Sequence, residues 1–202
     1  MPRGPRLDYP GALHHVIDRG IERRRIFRSD TDRRDFLSRL GELTIESGAG
    51  LYAWALLPNH FHRLLRTGSR PLSRLMQQLL GDYADLFNSR HRRSGHLFQN
   101  RFKSTLIDEE CYLLEVLRYI HLNPVRSRLA VTLDELDGYP WTGHATILGK
   151  REFAAQDVGF VLEQFGGSRR EARERYRQFV REGIRNGQSR DLSGGGLRRS
   201  MG

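Results

Sequence analysis

Residues 51–66 constrain the fold of this chain more than any other stretch. Leu51 to Leu57 is an unbroken apolar run of strand length, Pro58-Asn59 is a turn signal, and Phe61 to Arg66 is a second short run. The segment therefore reads as two strands joined by a tight connection. Successive side chains of a strand point to opposite faces, so starting the second strand at His60 puts His60 and His62 on one face and Phe61 on the other. A fold that accommodates this segment presents two imidazoles from one side of a sheet.

The flanking segments supply the rest of an architecture. Leu13-His14-His15-Val16-Ile17-Asp18 reads as a first strand, and Gly20 with Glu22-Arg23-Arg24-Arg25 as a basic turn. Asp30 is the expected cap of a helix running to about Ser47, with Phe36, Leu37, Leu40 and Leu43 at helical spacing and Gly48 or Gly50 ending it. Pro71 opens a second helix, whose stripe Leu72, Leu75, Met76, Leu79, Leu80, Tyr83, Leu86 and Phe87 reads as core. Arg101 to Ile107 is a further strand. Asp108-Glu109-Glu110 starts a third helix with acid at its N-terminus, and Pro124 limits its extent. The order strand, helix, strand, strand, helix, strand, helix predicts an α+β fold, a ferredoxin-like antiparallel sheet with helices packed on it.

The pattern changes after Tyr139-Pro140-Trp141 and Gly149, which places a boundary between a main domain at 1–149 and a helical appendage at 150–184. Helices are expected over Asp157–Phe165 and Arg169–Glu182, the second packing on the main domain through Ala172, Tyr176, Phe179 and Val180. Residues 185–202, rich in Gly, Ser and Arg, are expected to form a disordered basic tail.

Composition narrows the partners. The net charge of +10 on 202 residues favours a polyanion, and every basic residue except Lys103 and Lys150 is an arginine, whose planar fork matches phosphate oxygens. Arginine-rich coding is the plain alternative. Cys111 stands alone, so a disulfide or a cysteine-based zinc site within one chain is excluded. No stretch has the length of a membrane span or a signal peptide, and the expectation is a cytoplasmic protein without a membrane partner.

Two neutral imidazoles joined by oxygen ligands suit a divalent ion with open positions, able to hold the oxygens of a scissile phosphate. Tyr119 and Asn123 are four apart, so one helix face could offer a phenol and an amide together. A phenolate can attack phosphorus, but with an ordinary pKa of ~10 a tyrosine needs cationic neighbours, a metal or a base. For each motif alone the plain reading, ordinary polar residues or packing, has the greater weight. The stretch Asn88 to Lys103 interleaves basic and aromatic residues, as expected of a surface that tracks phosphates and stacks bases. Arg92, Arg93, Arg101 and Lys103 are its candidate phosphate contacts, with at least one of Phe98 and Phe102 turned into the core. Arg19 and Arg23 to Arg25 form a second, weaker patch.

Taken together, Pro10-Gly11-Ala12-Leu13-His14-His15-Val16, Pro58-Asn59-His60-Phe61-His62, Gly95 to Lys103 and Tyr119-Ile120-His121-Leu122-Asn123-Pro124-Val125-Arg126 resemble the REP-associated tyrosine transposases. These belong to the HUH single-tyrosine group. The resemblance runs in one order over about Pro2 to Gly149. It implies a ferredoxin-like enzyme that cuts hairpin-forming single-stranded DNA with a divalent metal, magnesium or manganese. By the same resemblance His60, His62 and Asn123 hold the metal and Tyr119 is the nucleophile, becoming linked to the 5′ end and releasing a 3′-hydroxyl. Tyr112 is the fallback nucleophile. Arg23, Arg24 and Arg126 join the candidate DNA contacts, and both a monomer and a homodimer are compatible with the group. Two positions depart from its pattern: Arg63 replaces an apolar residue, facing either a core or DNA on the side opposite the histidines, and Asn123 stands where relatives carry Gln. His15 and His121 are expected in core or surface roles, with second-shell roles as the alternative. The competing functions are a DNA-binding regulator that keeps the fold without cleavage, and a metal hydrolase of small phosphodiesters.

Overall fold

The computed structural model describes residues 8–185, without the side chains of residues 109–111 and 185. Residues 1–7 and, apart from Arg185 at the end of the last helix, the expected basic tail lie outside that range. Four strands, β1 (Leu13–Arg19), β2 (Gly50–Leu57), β3 (His60–Arg66) and β4 (Lys103–Leu106), form one antiparallel sheet in the order β2-β3-β1-β4. Helix α1 (Asp30–Glu46) connects β1 to β2, and α2 (Leu72–Arg90) connects β3 to β4. This is the ferredoxin-like βαββαβ arrangement, followed by α3 (Glu109–His121), α4 (Asn123–Arg126), α5 (Leu133–Gly138), α6 (Gly143–Ile147), α7 (Val158–Glu163) and α8 (Arg169–Arg185).

The sheet separates two apolar clusters. Val16, Phe61 and Leu65 pack with Phe36, Leu40, Met76, Leu79 and Tyr83 of α1 and α2 on one side. On the other side Leu13, Leu64, Ala53 and Ala55 meet Leu117, Ile120, Leu136, Ile147, Val161 and Tyr176. Strand β2 serves both clusters through a register shift between Leu51 and Ala53, which changes the alternation so that Leu51 and Trp54 face one cluster and Ala53 and Ala55 the other. Helices α5 to α8 share the second cluster with the sheet, and β2 also bridges to Gln156 and Thr142. Helix α8 packs on the sheet domain through Ala172, Tyr176 and Val180, with Phe179 partly buried beside them.

Local chemistry sets the ends of these elements. Helix α1 is capped by Ser29 rather than Asp30: the Ser29 hydroxyl accepts from Asp32 N and the Asp32 carboxylate accepts from Ser29 N, a complete capping box. Asp32 is fully buried and also accepts from Arg28 N, Arg90 and His91, which ties the start of α1 to the end of α2. Strand β4 begins at Lys103, leaving Arg101 in an exposed bend before it. Arg63 takes the core alternative. It is 1% exposed on the α1 and α2 side of the sheet, with its guanidinium 5.6 Å from the Phe61 ring centre. Burial pulls its pKa down to about 9, opposed by the charge of Asp18.

Burial alone would raise the Asp32 carboxyl, but the hydrogen bonds from Arg90, Arg28, His91 and Ser29 prevail and hold it below the usual carboxylate range. A lowered folded-state pKa stabilises above the unfolded value of ~3.9, and that stability disappears as the pH falls through the folded value. Asp32→Asn is therefore expected to cost about 3 kcal/mol at pH 7. Urea unfolding at pH 7 and pH 3 checks it, with the gap between parent and variant narrowing at the lower pH.

Candidate active site

The register of β1 on β3 builds the floor of the site. Ile17 stands opposite His62 and Arg19 opposite His60, so the residues of β1 that share the imidazole face are His15, Ile17 and Arg19. Phe61 and Arg63 face the other way, as strand alternation requires. Helix α3 lies against β2 and β3 on the imidazole side, and its last turn brings Tyr119 over the histidines. The Tyr119 ring centre is 5.7 Å from that of His62 and 5.8 Å from that of His15, both edge-on. His60 and His62 are 5.1 Å apart by the same measure.

Each candidate ligand has one polar atom held by the protein. His60 Nδ1 is 2.7 Å from Asn59 Oδ1, an acceptor, so Nδ1 carries the proton and Nε2 keeps its lone pair. His62 Nδ1 is 3.1 Å from His15 Nε2, and a proton on His62 Nδ1 leaves its Nε2 free to ligate as well. Asn123 begins α4, and its Nδ2 donates to Tyr119 O at 2.9 Å. Fixing the second nitrogen of a ligating imidazole in this way is the usual support of a metal site. Among the described residues no group of three or more His, Cys, Asp and Glu side chains could hold an ion. Two neutral imidazoles 5.1 Å apart by ring centre are a donor pair whose chemistry suits a divalent cation that takes its remaining ligands as oxygen.

Burial keeps the imidazoles neutral. It lowers His15 to about 4, and with help from Arg19 it lowers His60 to about 4. His62 is held well below the ordinary value by burial first, then by His15, His60, Arg19 and Arg126. Arg126 lies over the Tyr119 ring: its guanidinium carbon is 4.5 Å from the ring centre, and Nη1 donates to Tyr119 O at 3.1 Å.

The structure gathers some candidate DNA contacts and disperses others. Lys103 stands opposite Ile17 on β4, so His62, Ile17 and Lys103 form a row across three strands on the imidazole face. Arg23 lines a cleft of about 340 Å³ beside His60, together with Arg25, Pro58, Asn59, Ser127 and Leu129. Arg24 is paired with Glu22 at 2.8 Å. Arg92 and Arg101 are exposed, whereas Arg93 is held by Asn88 Oδ1 and His96 O within its own loop. Phe102 is buried and Phe98 packs against the same cluster, so both aromatics contribute to the core. Tyr112 is exposed, about two helical turns from Tyr119.

His15, Arg19 and Asn59 join the site without a signal in the sequence that marks them for it. Their roles depend on the β1–β3 register and on a turn geometry that periodicity does not encode.

Residues 10–123 match the model of the IS200-like transposases. The chain belongs to the IS200-like transposase family. The matched segment of the transposase contains His15, His60, His62, Tyr119 and Asn123 and ends before α5. Its fold is similar to that of a REP-associated tyrosine transposase bound to a REP hairpin, with a TM-score of 0.58 at 15% identity over 78% of this chain and 98% of that one. A candidate transposase from Deinococcus radiodurans R1 aligns with a TM-score of 0.40 at 18% identity, covering 59% and 94% of the two chains. Among curated protein sequences none matches significantly. No helix among the described residues is long and apolar enough to cross a membrane.

Proposed function

We propose that this transposase cuts and rejoins hairpin-containing single-stranded DNA through a 5′-phosphotyrosine at Tyr119, with magnesium or manganese held by His60, His62 and Asn123. The observation that carries this reading is the Tyr119 ring edge-on to His62, whose own ring centre is 5.1 Å from that of His60, with the Nδ1 atoms of both neutral histidines already engaged. In the reaction the Tyr119 oxygen bonds to phosphorus as it loses its proton, and the 3′ oxygen departs and gains one. One phosphodiester replaces another, so a later 3′-hydroxyl can reverse the step without an energy source. A bound divalent ion supplies positive charge at the phosphate oxygens.

The chain's own cations assist. Arg126 sits over the Tyr119 ring, where its fork can reach an oxygen of the phosphate under attack. Arg19, Lys103, Arg23 and Arg25 extend that positive surface along the imidazole face and into the cleft beside His60, and Arg92 and Arg101 add exposed charge on the loop between α2 and β4. The similarly folded transposase holds a REP hairpin, which supports hairpin DNA as the substrate class.

Arg126→Ala is expected to lower the cleavage rate by about a hundredfold while changing hairpin affinity much less, because its partner is the reacting phenol rather than the bulk of the DNA. Single-turnover cleavage alongside fluorescence anisotropy separates the two. The reading itself is tested by incubating the full chain with end-labelled single-stranded hairpins, with manganese and with a chelator, on a denaturing gel. A metal-dependent covalent complex supports it. Tight hairpin binding without any complex in manganese or magnesium moves the assignment to a DNA-binding regulator.

A further inference from the structure

Helix α3 carries Tyr119 on one side and His121 on another, since two residues along a helix is more than half a turn. His121 is fully buried, away from the DNA face, and meets Tyr176 of α8 with Nδ1 2.8 Å from the phenol oxygen. The same phenol is 2.6 Å from His144 Nδ1, and His144 Nε2 is 2.9 Å from Asp137 Oδ1. Asp137 Oδ2 accepts in turn from Arg177 Nε at 2.7 Å and Lys150 Nζ at 3.2 Å.

The proton order of this chain of contacts follows from its end. A carboxylate only accepts, so His144 Nε2 carries the proton and, with His144 kept neutral by burial, its Nδ1 is an acceptor. Tyr176 must then donate to His144, and its oxygen accepts from His121 Nδ1. Each bond fixes the direction of the next.

Two further contacts reinforce the junction. A Cβ on Gly183 would lie 2.6 Å from Arg118 Cδ and 2.8 Å from Leu122 Cδ1, so α8 approaches the last turn of α3 as closely as a glycine permits. One turn earlier, Phe179 holds the Arg118 guanidinium 4.2 Å from its ring centre. Tyr176, Phe179 and Gly183, about one turn apart along α8, therefore clasp the end of α3 from Arg118 to Leu122, whose other side bears Tyr119.

We propose that Tyr176 is a positioning residue: by holding His121 it sets the rotation of the last turn of α3, and hence the place of Tyr119 beside His62 and His15 and of Asn123, whose amide is held by Tyr119 O. Helices α5 to α8, beyond the segment that matches the family, are on this account part of the active-site frame. The inference rests on the reading of Tyr119 and Asn123 given under Proposed function.

Tyr176→Phe removes one hydroxyl and keeps the ring. In the full-length protein, without metal or DNA, the imidazole proton resonances of His15 and His62 report the place of the Tyr119 ring through its ring current. They are expected to move in Tyr176→Phe, while Mn²⁺ affinity by calorimetry and the cleavage kcat each fall about tenfold and hairpin Kd stays unchanged. Gly183→Val, which pushes on Arg118 and Leu122 from the same helix, is expected to move the same resonances. Unshifted resonances and parental Mn²⁺ affinity in both variants, with only a lower melting temperature, would overturn the proposal and leave a core tie. Should the parent neither bind Mn²⁺ nor cut DNA, the proposed function fails, and the imidazole resonances still decide whether Tyr176 places Tyr119.

Discussion

Tyr119→Phe is expected to bind hairpin DNA with parental affinity and to form no covalent complex, its cleavage rate falling by at least about 10⁴-fold. The size of the effect follows from removing the attacking atom itself, while the ring that packs against His15 and His62 remains. Tyr112 offers no rescue. It lies seven residues earlier on the same helix, about 10 Å along the axis at 1.5 Å per residue, and its ring is exposed. Gel analysis with manganese measures the cut, and anisotropy with the same hairpin measures binding. Cleavage by Tyr119→Phe at more than a small fraction of the parental rate would contradict the assignment.

The second large effect is expected at His62. His62→Ala removes a buried imidazole that touches both His15 and Tyr119, and with it one of the two proposed nitrogen donors. Mn²⁺ affinity is expected to fall by at least about a hundredfold and cleavage by about a thousandfold, since neither Asn123 nor His60 can replace a buried nitrogen at that point. The variant also strands His15 Nε2 in the interior, so a loss of about 2 kcal/mol in stability accompanies the lost chemistry. Calorimetric titration with Mn²⁺ separates the two consequences, because a folded protein at 20 °C that no longer takes up the ion has lost the site and not the fold. Parental Mn²⁺ binding in His62→Ala would place the ion elsewhere.

Much of this arrangement is legible in the sequence because it depends on short-range periodicity. The alternation in His60-Phe61-His62 directs both imidazoles to one face, and the spacing of Tyr119 and Asn123 closes one helical turn, so their association needs no tertiary information. The order of strands and helices likewise leads to the ferredoxin-like sheet. What escapes is whatever depends on register and close approach. His15 joins the site because β1 pairs with β3 at Ile17 opposite His62, a pairing that no local pattern in Leu13 to Asp18 specifies.

The segments after Pro124 are harder still. Helices α5 and α6 have six and five residues, too few for a periodic stripe, and they exist because Thr132 and Thr142 cap them and the core receives Leu136 and Ile147. The cap of α1 is Ser29, although Asp30 has a suitable side chain, because only Ser29 stands three residues before an acid that can reach back to it. Arg63 breaks the apolar alternation of β3 and is nevertheless taken into the core, where the aromatic face of Phe61 and the charge of Asp18 offset part of its desolvation.

The central claim is that one named phenol becomes bonded to DNA. Mass spectrometry of the proteolysed complex, formed in manganese from the parent chain and a hairpin with single-stranded flanks, identifies the residue that carries the phosphate. The account predicts a nucleotide attached to Tyr119 through its 5′ phosphate, with a free 3′-hydroxyl on the released strand. Attachment at Tyr112, or a cut product whose 5′ phosphate is free with no modified residue anywhere, would contradict it.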